Sequence, residues 1–143
     1  MSKAINKSLS ESLSTIRAAA DTSVFWGWDN RYRTVLLATK PESAESIKFK
    51  FNNCFSHSWT SDNHKDGGQS IQGLVNFLAG LHNGQTLYTK DLGGGLLAFA
   101  AFWPWAGQPS VSLRIGVYRT NKNATVSISE LVEQLKTVFE VES

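Results

Sequence analysis

Cys54, His57, Asp62 and His64 fall close together in CFSHSWTSDNHKDGG, the segment 54–68. Thiolate, imidazole and carboxylate are the groups that bind zinc, and these four nominally complete a tetrahedral set. The spacing argues against it. Strong zinc signatures draw a second Cys/His pair from a distance, whereas this set would have to close on itself within one short loop. If Phe51–Trp59 continues as a strand, Cys54 and His57 also point to opposite faces. The segment therefore reads as a polar turn from Ser61 to Gly68, and the sequence predicts neither a metal nor any other cofactor.

Nucleophilic chemistry fares no better. Gly68-Gln69-Ser70-Ile71-Gln72-Gly73 misses the G-x-S-x-G elbow by one residue, and Ser70 is expected to cap a helix. Cys54, flanked by Asn53 and Phe55, reads as a half-buried apolar filler rather than a thiolate paired with His57 or His82. Gly93-Gly94-Gly95 has no following lysine and precedes a strand, so both parts of a phosphate loop are missing. The carboxylate pairs Asp62/Asp66 and Glu42/Glu45 sit in turn-like contexts with nothing to raise a pKa. The chain is expected to be non-catalytic.

The tryptophans are more informative. Phe25-Trp26-Gly27-Trp28 and Phe102-Trp103-Pro104-Trp105 repeat one F-W-x-W pattern, which in an extended chain turns both indoles of a pair to the same side. Clustered indoles bury much area yet keep an N–H that needs a partner, so they are frequent at rims and interfaces. Within each pair the first indole, Trp26 or Trp103, is expected to be the more buried. Trp28 and Trp105 are the expected contact residues. A second candidate surface is basic: Lys48 and Lys50 on one strand, with Arg114 and Tyr118 on another, would set cations beside an aromatic ring and suit a single-stranded nucleic acid.

The elements that must position these groups follow from periodicity. Ile5, Leu9, Leu13, Ile16 and Ala20 mark an N-terminal amphipathic helix; Ile71, Leu74, Val75, Leu78 and Leu81 mark a central one that stops at Asn83-Gly84. Ser127 and Glu130 form a capping box for a C-terminal helix that buries Leu131, Leu135, Val138 and Phe139. Period-two alternation predicts strands at 47–51 and 111–117. Further strands are expected at 24–28, 34–39, 86–90 and 96–103, the last buried on both faces because it has no polar position. Short connections make neighbouring strands antiparallel. The fold class is therefore α+β: a mainly antiparallel sheet of about six strands, with helices on one face and the order α-βββ-α-βββ-α.

Length and composition agree with one domain spanning 1–143. At 143 residues, 41% hydrophobic and 18% charged, the chain can bury a sizeable core without staples. One cysteine excludes an internal disulfide and carries no mark of an oxidising compartment. The start MSKAINKSLSESLS lacks a signal-like apolar core, and the run Leu96–Trp103 is too short to span a bilayer. A cytoplasmic, non-membrane protein is the expectation, and the sequon at Asn123-Ala124-Thr125 reads as a turn. A formal charge of +2 is far below the bias of a dedicated nucleic-acid binder. The leading functional reading is a protein-protein interaction module, expected to be a homodimer, working through its aromatic clusters. Single-stranded nucleic acid is the alternative, and a glycan the third.

Overall fold

The computed structural model describes residues 3–20, 26–124 and 126–141, with no side chains described for residues 3–6. Val24, Phe25, the Ile5 side chain and Thr125 of the sequon thus lie outside the described residues. The elements are α1 (Lys3–Ala20), β1 (Gly27–Asp29), β2 (Thr34–Thr39), α2 (Pro41–Phe51), β3 (His57–Trp59), a 3-10 turn (His64–Gly67), α3 (Gly68–Phe77), β4 (Thr86–Gly93), β5 (Leu96–Pro104), β6 (Val111–Arg119) and α4 (Ile128–Val138). The six strands form one sheet, ordered β1-β2-β6-β5-β4-β3, and every neighbouring pair is antiparallel. The α+β class with a six-stranded antiparallel sheet is as the sequence predicted.

The expected strand at 47–51 is instead the second half of α2. Ile47 and Phe51 are four apart, so they share a face on either element, and a short alternating run cannot tell the two periods apart. Pro41 in the first turn decides for the helix: it has a preset φ and no N–H to lose there. Glu42 in the first turn and Lys48 and Lys50 in the last complement the helix dipole. Ala44, Ile47 and Phe51 are buried, while Phe49, inward-facing on a strand, is 73% exposed. The sixth strand is supplied by β3. The chain is consequently not two three-strand halves but a β1-β2 hairpin and a β3–β6 run, joined where β2 pairs with β6.

Helices lie on both faces, not one. Leu9, Leu13 and Ile16 of α1, Phe51 of α2 and Leu135 of α4 pack against Val35, Ala98, Phe102, Leu113 and Ile115 on the first face. Ile71, Leu74 and Val75 of α3 cover Leu87, Leu97, Phe99 and Ala101 on the second. A strand between two covered faces must be apolar throughout, and Leu96–Phe102 of β5 is buried without interruption. Gly116 on β6 leaves room for the Phe99 ring from β5 and the Thr34 methyl from β2, since an added Cβ would lie 2.8 Å from Phe99 Cζ and 2.9 Å from Thr34 Cγ2.

Helix ends follow local chemistry. The Ser127–Glu130 capping box forms as expected, and Phe139 is fully buried while Val138 is only partly so. Ser70 does not cap α3: the helix starts two residues earlier at Gly68, and Ser70 is exposed inside it. It stops at Phe77, well before Asn83-Gly84. Ala79 N–H donates to Asn76 O and Gly80 N–H to Val75 O, with φ of 65° and 101° at the two residues, a Schellman ending. No helix among the described residues is long and apolar enough to cross a membrane.

Candidate functional site

On the second face α3 covers β4, β5 and, through Phe77, Tyr118 of β6, which leaves the rest of β6 with β1 and β2 as an area for other groups. Strand alternation turns Gly27, Asp29, Leu36, Ala38, Ser112 and Arg114 toward it, and Trp103 borders it from β5. The β1–β2 turn folds over one end. There Tyr32 stands edge-on to Trp103 at 5.4 Å and to Phe77 at 6.0 Å. Tyr32 is buried, and Trp103 is half-buried.

Beneath Tyr32, Arg114 is held from two sides. Its Nε donates to Asp29 Oδ2 at 2.8 Å, and its guanidinium carbon lies 4.4 Å from the Trp103 ring centroid. Both ion-pair side chains are mostly buried. Burial pushes the Asp29 carboxyl up, but the hydrogen bond from Arg114, the N–H of Arg31, the charge of Arg114 and the N–H of Tyr32 together outweigh it. The pKa is held below the ordinary 3.8. The pair therefore adds two charges to the face and no net charge.

At the other end Trp105 follows the last residue of β5. Its Nε1 donates to Ser112 Oγ at 2.7 Å, which folds the indole back onto the second face. It stays 43% exposed and follows exposed Pro104, while exposed Ala38, the register partner of Ser112, and half-buried Leu36 lie on the same face. The result is a mainly apolar shelf with an oriented indole at its rim and a neutral ion pair in its floor.

The first tryptophan pair lies on the opposite side of the sheet. Trp26 is buried, edge-on to Phe139 at 4.9 Å, whereas half-buried Trp28 pairs with Val35 and has Lys136 Nζ 4.8 Å from its ring centroid. In each pair the second indole is the more exposed, as the sequence predicted. The two pairs do not make one platform.

The predicted basic face is not assembled. Lys48 and Lys50 ride on α2, over the first face, where Lys48 pairs with Glu45 at 3.1 Å and lies 5.3 Å from the Phe102 ring centroid. Arg114 and Tyr118 are on the second face. Tyr118 packs on Phe77 at 5.6 Å, in space left open by Gly73.

The Cys/His segment is also dispersed. Cys54, in the turn after α2, lines a shallow cleft with Lys90 and α1 residues; burial pushes its thiol up, against the pull of the Lys90 charge. His57 lies on β3, tilted over Trp59 at 5.5 Å, while Asp62 and His64 belong to a turn closed by Asn63 Oδ1 accepting from Thr60 N–H. Among the described residues no three His, Cys, Asp or Glu side chains come together as a ligand set.

Sequence reasoning missed Asp29, Tyr32 and Ser112. A Tyr between two arginines, where a hairpin turn ordinarily carries Gly or Asn, was the available signal for Tyr32. No family model, curated protein or solved structure matches the chain.

Proposed function

We propose that this chain is a non-catalytic protein-binding domain that docks a partner on the uncovered half of the second face, with Trp105 and Trp103 as anchors. The observation carrying this reading is an indole that is 43% exposed and yet fixed by a hydrogen bond to Ser112. An anchor already held in one geometry loses little freedom on binding, and tryptophans of this kind dominate many interfaces. Leu36, Ala38 and Pro104 supply the apolar surround. A second copy meeting the shelf about a two-fold axis is one form the partner can take.

The charge pattern favours protein over nucleic acid. Phosphate recognition needs cations free to displace counterions. Arg114 is already committed to Asp29, and Lys48 faces Glu45 on the other side of the sheet.

The test is light scattering at rising protein concentration, with pull-down from the source cells, for wild type and Trp105→Ala. Association should persist at about 0.5 M salt, where exposed charges are largely screened. Trp105→Ala should abolish it with little change in melting temperature. Absence of any salt-resistant association, together with salt-sensitive capture of a single-stranded oligonucleotide, would replace this reading with the nucleic-acid one.

A further inference from the structure

A second, separate feature lies where the C-terminal end of β6 passes between α3 and α4. A cavity of about 120 Å³ opens there, walled by Phe77, Val117, Tyr118 and Leu135, with Arg33 and Arg119 also lining it. No Asp or Glu lines it, and neither arginine takes part in an ion pair among the described residues. We infer that this cavity is a binding site for a small monocarboxylic acid with a compact apolar body.

The two arginines are held by the fold. Arg119 Nη2 donates to Lys122 O at 2.9 Å and Ala124 O at 3.3 Å, while its Nε is buried without an acceptor among the described residues. A buried N–H of this kind leaves one strong donor unused. Arg33 has φ 53°, the left-handed region that disfavours a branched or bulky side chain, and its guanidinium carbon lies 5.4 Å from the Phe77 ring centroid. Guanidinium stays charged at any ordinary pH and matches the fork of a carboxylate.

Volume and walls select the rest of the ligand. Apolar cavities of roughly 150 Å³ accept a benzene ring, so this one, at about 120 Å³ and open on one side, takes a group no larger than that ring or a short branched aliphatic chain. A phosphate ester would bring a more strongly hydrated dianion against apolar walls. A carboxylate carries one charge and is the easier group to desolvate.

Isothermal titration of the full chain with phenylacetate and isovalerate, each against its neutral amide, tests the assignment. The acids should saturate with a Kd on the order of millimolar or tighter, the range open to ligands of this size, and the amides should bind about tenfold more weakly. Arg33→Gln should weaken the acids several-fold and leave the amides unchanged. Val132 of α4 also lines the cavity, and Val132→Phe, which fills it, should abolish binding of both. Equal binding of acid and amide, acid binding indifferent to both substitutions in folded protein, or no saturation by about 10 mM would each overturn the proposal. None of these outcomes depends on Trp105 or on a protein partner.

Discussion

Arg114 and Trp103 stand on neighbouring strands, with the guanidinium carbon over the indole at 4.4 Å from the ring centroid. Asp29, from the edge strand β1, takes the remaining side of the same cation. Three strands of the sheet are thus tied through one side chain, and the shelf beside Trp105 has a fixed floor.

Replacing Asp29 should expose this tie. Asp29→Asn is expected to cost about 1.5–3 kcal/mol, the range for a hydrogen bond to a charged group. Because the folded pKa is lowered, the contribution is fully present above the unfolded value of about 3.9 and is lost as pH falls through the lower folded value. Urea titrations should therefore show a constant gap between wild type and variant at neutral pH that narrows below about pH 4. A gap that persists undiminished in strong acid would mean the carboxylate charge is not what stabilises the pair.

The indoles should separate by role. Trp26→Ala is expected to cost about 3–5 kcal/mol, as emptying a core site does. Trp105→Ala should cost roughly 1 kcal/mol, chiefly the hydrogen bond to Ser112. Acrylamide quenching of single-tryptophan variants should rank Trp105 as the most accessible and Trp26 as the least.

Gly116→Ala tests the packing of β6 against β5. Its methyl would stand under 3 Å from Phe99 and Thr34, so overpacking is expected to cost about 1–3 kcal/mol. Phe99→Leu in the same chain should recover part of that loss. Two penalties that simply add in denaturation midpoints would show that the residues do not share the space.

Phe49 and Phe51 discriminate a helix from a strand at 47–51. On α2 they are 73% exposed and fully buried respectively. Phe49→Ser should then leave the melting temperature almost unchanged, while Phe51→Ala costs about 3–5 kcal/mol. On a strand the two side chains would point the same way and both substitutions would destabilise.

That pair also shows where sequence reading stopped. β5 and β6 were legible because one is apolar throughout and the other alternates from Val111 to Tyr118; α4 was legible through Ser127 and Glu130. At 47–51 the alternation is too short to separate the two periods, and the deciding Pro41 lies six residues upstream of Ile47. Placing Lys48 and Lys50 beside Arg114 failed with that strand. The ranking of exposure within each tryptophan pair came from position along the strand, a local property. Which face each pair occupies, and that Asp29 meets Arg114, depends on the pairing of β1, β2 and β6 across the whole chain. The same holds for the cavity, whose arginines are far apart in sequence.

The sheet ends on both sides in strands of only three residues, β1 and β3. A longer bare edge would offer a row of unsatisfied N–H and C=O groups on which another chain could crystallise strand by strand, the route to fibres. Here such a template is too brief to hold an incoming segment. Strand-by-strand addition onto β1 or β3 is correspondingly disfavoured.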